Sequence, residues 1–280
     1  MTNDNSPTVD ASSPRLAATV ILARPALRGI ELYMTRRSGQ SAFAAGAFVF
    51  PGGTADGQDF STVMAARTLG LEPARVAREF RATVPPQLPS SEAAVGNAAA
   101  GALFVAALRE LFEEAGILLA RRRDGSPVEA ANALSPDVQA ERIPLGRGAL
   151  TFAEFLTQRD WFADTRELAL FSHWITPPSE PRRFNTHFFF AAAPAGQAGV
   201  ADAYETHEGM WIAPRDALAR HRDGVFHLVY PTIKHLERLA GFESLEEALH
   251  FARSKTVLTI LPASGPDGGF VMPATLEHAW

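Results

Sequence analysis

The stretch from Ala107 to Leu119, ALRELFEEAGILL, places three carboxylates within five consecutive positions. Glu110, Glu113 and Glu114 stand at i, i+3 and i+4, so a helix sets them on one face and close together. Leu108, Leu111, Phe112 and Ala115 supply the apolar side that would hold this helix against a core. Like charges at this spacing cost a helix a few tenths of a kcal/mol. Two settings relieve the repulsion. One is water, which makes the trio a solvated acidic face, the usual fate of a bare E-x-x-E-E. The other is a hard divalent cation, which takes carboxylate oxygens as ligands. Gly116 marks the helix end.

A second feature tips the choice towards the cation. Phe50-Pro51-Gly52-Gly53 lies upstream, and glycines there allow the backbone to come close to a metal or phosphate. Taken together, the two stretches resemble the Nudix box, G-x5-E-x7-R-E-U-x-E-E-x-G-U, where U is a bulky aliphatic residue. Arg109 to Ile117 fill its second half without a mismatch, and Gly53 fits its opening glycine. Between Gly53 and Arg109 lie 55 residues where the pattern has 13, so the box carries an insertion of 42, placed at residues 54–98. Counted back from Arg109, the first glutamate of the box falls on Gly101; Asp56, Asp59 and Glu92 are the candidates to replace it.

Other segments resemble the split-box branch of Nudix enzymes that includes coenzyme A diphosphatases. These are Arg37-Ser38 with Gly46 to Gly53, Trp174 to Pro178, and Pro181 to Phe189 with Asn185 at an aspartate position. Tyr204 to Ile212 and Pro214 to Leu218 resemble the ending of a Nudix domain, where a glutamate precedes the last core strand. The resemblance spans roughly Arg15 to Pro262.

It implies an α/β fold: a Nudix α/β/α sandwich with a mixed sheet, a helical insertion inside the box and extra C-terminal helices at residues 228–280. It also implies hydrolysis of a nucleoside-linked diphosphate with bound Mg²⁺ or Mn²⁺. Glu110, Glu113 and Glu114 would be the metal ligands, with the Gly53 carbonyl as a further one. Arg109 would hold Glu110 in place. Glu205 is the candidate general base and Glu208 its rival. Coenzyme A or an acyl-coenzyme A is the expected substrate, cleaved to 3′,5′-ADP and (acyl-)4′-phosphopantetheine. ADP-ribose, a dinucleotide, or nucleotide binding without turnover are the alternatives. The 3′-phosphate of coenzyme A calls for arginine, whose planar fork binds phosphate oxygens in pairs. Arg36-Arg37 and Arg182-Arg183 are the candidates.

Composition narrows the partners. The chain has 280 residues, 46% hydrophobic and 20% charged, as in ordinary globular domains. A net charge of −5 argues against nucleic acid and anionic membranes as partners. There is no cysteine, so thiolate metal sites and cysteine nucleophiles are excluded. Arginine far outnumbers lysine, which occurs only as Lys234 and Lys255; with abundant alanine this suggests a bacterial source. Residues 1–14 are polar and lack a leader pattern, so a disordered tail is expected, followed by one domain over 15–280. Cytoplasm is the expected compartment and a homodimer the expected assembly.

The supporting elements follow from periodicity and punctuation. Leu16–Ala23 and Ile30–Arg36 read as a hairpin, and Leu168–Thr176 and Phe184–Ala193 as further strands. Helices are expected at Asp59–Leu69, Pro73–Ala82, Thr151–Arg159, Val229–Leu239 and Leu245–Ser254. Val84 to Pro89 reads as a loop, and Ser90-Ser91-Glu92 as a cap for the box helix. Arg121-Arg122-Arg123 reads as a solvated run at that helix's C-terminus. Thr256–Leu261 and Phe270–Met272 are expected to form a terminal hairpin. The eight histidines show no ligand spacing and are assigned to the surface or to satisfied core positions.

Overall fold

The computed structural model describes residues 13–40, 44–80, 94–201, 206–265, 269–277 and 280. The strands in chain order are β1 (Arg15–Pro25), β2 (Ile30–Arg37), β3 (Phe48–Val49), β4 (Gly52–Thr54), β5 (Thr68–Leu69), β6 (Ala120–Arg122), β7 (Trp161–Asp164), β8 (Ala169–Ile175), β9 (Phe184–Ala192), β10 (Thr206–Ile212), β11 (Thr259–Ile260), β12 (Ala263–Ser264) and β13 (Phe270–Val271). The helices are α1 (Thr62–Ala66), α2 (Pro73–Glu79), α3 (Asn97–Ala115), α4 (Ala130–Ala133), α5 (Pro136–Ala140), α6 (Arg142–Gly146), α7 (Phe152–Gln158), α8 (Pro214–Arg222), α9 (Tyr230–Leu239) and α10 (Leu245–Ser254).

β1 is an apolar, β-branched run buried over most of its length, the signature of a strand covered on both faces. It sits inside a mixed sheet of order β10-β2-β1-β9-β8-β11, with β3 on β2 and β4 on β1. β1 runs antiparallel to β2 and β4, and parallel to β9 from Arg15↔Phe184 to Ala23↔Ala192. Alternation along each strand divides the core in two. Ala18, Val20, Leu22, Tyr33, Phe189 and Ala191 face the layer built around α3. Ile21, Ala23, Met34, Phe188 and Phe190 face the layer containing Leu236, Leu239, Ala248 and Ala252 of α9 and α10. The C-terminal helices thus form the second outer layer, and the α/β/α sandwich is complete. A smaller sheet, β5-β7-β6, carries the chain that leaves α3.

The box helix begins at Asn97 with Gly96 at its N-cap and no side-chain cap. Ser90-Ser91-Glu92 and the loop from Val84 to Pro89 lie outside the described residues. The helix ends as expected: Gly116 adopts φ 65°, and its N–H donates to the Phe112 carbonyl at 2.9 Å. α7 starts on the Thr151–Glu154 capping box, and α9 and α10 fall where periodicity placed them.

Three expectations are corrected. Asp59–Leu69 is not one helix: Ser61 caps the short α1, and Thr68–Leu69 pairs with β7. Sheet pairing competed there with a weak helical pattern. Arg121-Arg122-Arg123 is not a helix terminus, because Arg121 and Arg122 belong to β6, which pairs with β7. The terminal hairpin joins β12 to β13, while Thr259–Ile260 adds a parallel strand to β8 in the main sheet. Of Pro73–Ala82, α2 accounts for Pro73–Glu79, and residues 81–82 lie outside the described residues. No helix among the described residues is long and apolar enough to cross a membrane.

Candidate functional site

β4 lies between the β1 edge and α3, with Ala18 opposite Gly53 and Thr19 opposite Gly52. Gly52 has no room for a side chain, and Gly53 could carry one only if the Glu110 carboxylate moved. A Cβ on Gly52 would sit 2.5 Å from the Ala18 carbonyl oxygen, and one on Gly53 2.3 Å from Glu110 Oε1. The absent methyl groups are what let the carboxylate helix meet the strand backbone. Glu114, 3% exposed, accepts a hydrogen bond from the Gly52 N–H at 3.0 Å.

Arg109 organises the remaining carboxylates. Its Nη1 donates to Glu110 Oε1 at 2.8 Å and reaches Glu113 at 3.4 Å; its Nη2 donates to the Thr54 carbonyl at 3.2 Å. Its strongest contact is a two-point fork onto Asp59, Nε to Oδ1 at 2.9 Å and Nη2 to Oδ2 at 3.0 Å. Both side chains are buried. Asp59 lies six residues after Gly53, the G-x5-E spacing of the box with aspartate for glutamate. Counting forward from Gly53 would have found it. Counting back from Arg109 led to Gly101, which sits in α3 with Leu71 as the nearest atom a Cβ would meet.

Three carboxylates thus surround one arginine and Glu114 stands beside Glu113 on the helix, so four acids and one arginine leave a local excess of three negative charges at full ionisation. The excess charge shifts the proton affinities of the groups. Burial, and then the Glu110 charge, push Glu113 up to about 8 against the opposing pull of Arg109. Burial also raises Asp59 despite its arginine partner, and the surrounding anions raise Arg109 despite its own desolvation. Among the described residues, no three histidine, aspartate or glutamate groups stand as a preformed metal cage. Arg109 and the Gly52 N–H hold carboxylate oxygens that an ion would share. The donor set nonetheless fits a hard divalent cation: all-oxygen, clustered, and short of positive charge.

The arginine pairs are less alike than the sequence implied. Both stand at the end of the sheet where β1 starts. Arg36 lies over the Phe48 ring at 5.8 Å, on the face of α9 and α10, with Glu208 at 3.9 Å. Alternation directs Arg37 to the opposite face, that of Tyr33 and the carboxylate helix. Arg183 is 7% exposed and donates to the Thr176 carbonyl at 3.1 Å, whereas Arg182 is exposed. Arg183 is thereby committed to the fold. Glu205 lies outside the described residues. Asn185, at the signature's aspartate position, contacts His173 Nε2 at 2.6 Å, and His173 Nδ1 meets the Thr259 hydroxyl at 2.9 Å.

Residues 10–239 match the NUDT19 Nudix domain. The chain belongs to this family. It is 30% identical over 251 residues to the acyl-coenzyme A diphosphatase NUDT19 of Gallus gallus, a match covering 81% of this chain and 65% of that protein. The Homo sapiens protein of the same name is 28% identical, over 83% of this chain and 66% of its own length. The chain therefore spans slightly less than two thirds of these relatives. A solved Nudix hydrolase from Alicyclobacillus acidocaldarius shares 29% identity with a TM-score of 0.67, covering 85% of this chain and 96% of that one. Its likeness accords with the sandwich. Nudix hydrolases generally use divalent metal ions. Within the NUDT19 Nudix domain, the carboxylate helix, the glycine strand and the Arg109–Asp59 pair all lie inside the matched span.

Proposed function

We propose that the chain hydrolyses the diphosphate linkage of coenzyme A or an acyl-coenzyme A, giving 3′,5′-ADP and (acyl-)4′-phosphopantetheine, with Mg²⁺ or Mn²⁺ as cofactor. The observation that carries this reading is the buried cluster of Glu110, Glu113 and Glu114, packed on glycine backbone and braced by Arg109. A binding module would have no use for so much uncompensated charge. The names of the NUDT19 relatives supply the substrate class.

Glu110, Glu113 and Glu114 would hold the ion, with the Gly53 carbonyl beside them. A bound divalent ion supplies charge neutralisation at the phosphate oxygens and acidifies a water ligand. Arg109 fixes the direction of Glu110 by a charge-assisted hydrogen bond, and Asp59 fixes Arg109. Glu205 is assigned as general base. Its rival Glu208 is half-exposed and faces Arg36, which would compete for its charge. Arg37, on the carboxylate face, is the first choice for the 3′-phosphate, followed by Arg182; Arg36 is turned away, and Arg183 is held by Thr176.

The test is a turnover screen on coenzyme A, dephospho-coenzyme A, ADP-ribose and NADH, with and without Mg²⁺ or Mn²⁺. Metal-dependent cleavage with higher kcat/KM for coenzyme A than for its dephospho form is expected. Arg37→Ala should erase that preference, at roughly 1.5–3 kcal/mol per charged hydrogen bond lost. Equal kcat/KM for the two forms would move the reading to a broader nucleoside diphosphatase. No turnover on any of the four would leave nucleotide binding.

A further inference from the structure

A cavity of about 470 Å³ opens on the small sheet, away from the carboxylate cluster, none of whose residues lines it. Its walls carry Arg121, Arg122 and Arg123, with Phe162, Arg166 and Glu167 across from them. Carboxylates tether three of the four guanidiniums. Arg121 bonds Asp164, donates to Glu167 at 2.9 Å, and reaches the Gly125 carbonyl at 3.0 Å. Arg166 forks onto Asp164 at 2.7 and 3.1 Å, and Arg123 onto Asp160 at 2.7 and 2.8 Å. Asp164 is buried and fixed beneath the cavity.

The tethers on Arg123 and Arg166 each leave one nitrogen over. Among the described residues, Nη1 of Arg123, Nη1 of Arg166 and the whole Arg122 guanidinium have no hydrogen-bond acceptor. With Arg67, which shares Asp160, five guanidiniums meet Asp160, Asp164, Glu167 and the nearby Asp124. One positive charge remains in excess, in a chain of net charge −5. Guanidinium N–H groups lining a concave space, on side chains of which three are held by carboxylates, suit a tetrahedral oxyanion. For Arg121, Arg123 and Arg166 the carboxylates meet part of the side-chain ordering cost before a ligand arrives.

We propose that this cavity binds a small soluble anion bearing a phosphoryl or diphosphoryl group, at a site separate from the carboxylate cluster. The size suits one such group with a short organic remainder. Leu69 and Phe162 give that remainder an apolar wall. The Phe162 ring is already flanked by Arg67 at 5.0 Å and Arg123 at 5.9 Å, so recognition falls to the anion rather than to base stacking.

The test is a calorimetric titration of the full chain with inorganic pyrophosphate, with EDTA present to keep the carboxylate site free of metal. One saturable site is expected, weakened by added salt as an exposed charge contact should be. Arg122→Gln with Arg123→Gln should raise Kd about tenfold or more while leaving basal turnover unchanged. Arg122 is partly exposed and Arg123 exposed, and Arg123→Gln alone gives a second, milder variant. No binding at millimolar pyrophosphate, or equal affinity in the variants, would overturn the proposal. So would sedimentation of the chain with phosphatidylglycerol vesicles that the substitutions abolish, since it would assign the cavity to a lipid headgroup. None of these results bears on diphosphate hydrolysis, which is read separately.

Discussion

Replacing Arg109 by Met tests whether the site is held by one buried charge network. The arginine is 4% exposed on its side chain and Asp59 0%, with two charged hydrogen bonds between them at 2.9 and 3.0 Å. A third such bond, at 2.8 Å, holds Glu110. Removing one partner of a buried ion pair strands the other charge and costs about 3–5 kcal/mol. At roughly 2–4 °C per kcal/mol for a chain of this size, Tm should fall by about 6–20 °C. Asp59→Asn keeps the shape but leaves the guanidinium facing an amide, at a cost of about 1.5–3 kcal/mol. The double variant should then lose less than the sum, by roughly 1–3 kcal/mol. Urea denaturation in EDTA gives all four values. The deficit should also depend on pH. Asp59 and Glu113 are already raised in the folded state, Glu113 to about 8, and the arginine opposes both shifts. Without it their folded pKa values rise further. A raised carboxyl contributes stability fully below its unfolded pKa and loses it as pH climbs through the folded value. The Arg109→Met deficit should therefore be small near pH 4 and widen towards pH 8. A loss under about 1 kcal/mol, or strict additivity in the cycle, would refute the network.

Glu114→Gln should lower kcat at least about a hundredfold, and EDTA should abolish turnover that Mg²⁺ or Mn²⁺ restores; undiminished activity in the variant would remove Glu114 from the site. Gly53→Ala should cost a comparable factor, because its Cβ would lie 2.3 Å from a Glu110 oxygen that Arg109 holds, and normal kcat/KM would show that the two can part cheaply. Glu205→Gln should slow turnover by about 10²–10⁴-fold and Glu208→Gln much less, and the reverse order would transfer the base to Glu208. Lys255 tests the far layer: burial and then Arg238 lower it from 10.5 to about 7, while the Phe171 carbonyl at 2.8 Å and three aromatic rings favour its charge. A lowered folded pKa means that stability rises with pH from about 7 to 10.5, and Lys255→Met should flatten that slope.

The sequence carried the sandwich because its strands and helices announce themselves locally. β1, β8, β9, α9 and α10 each combine the right period with clear punctuation, and each appears within a few residues of where it was read. The short pieces did not. β5 and β6 are two and three residues long, and they exist because a neighbouring strand offers hydrogen bonds; β11 lies inside the strand read at Thr256–Leu261, but its partner is β8. Pairing of that kind joins residues far apart in the chain and leaves no local pattern. Arg121 to Arg123 show the same limit. Their charge read as solvent-facing, whereas Arg121 is tied to Asp164 on β7 and Glu167 in the turn after it, and Arg123 to Asp160 just before β7.

The site divides along the same line. Glu110, Glu113, Glu114 and Arg109 lie within one helical turn and a half, so spacing alone put them on one face. The fifth member, Asp59, sits 50 residues away, and only the folded chain brings it to Arg109. Its position was nonetheless encoded, six residues after Gly53. An insertion of 42 residues makes the backward count from the helix unusable but leaves the forward count from the glycine intact. That asymmetry has a physical cause. Gly53, Thr54 and Asp59 all reach the Arg109–Glu110 pair, by close approach, carbonyl and carboxylate respectively. The segment between them therefore cannot change length without breaking the cluster, whereas the chain beyond Asp59 need only return to the start of the helix. The extra residues went where the geometry placed no demand.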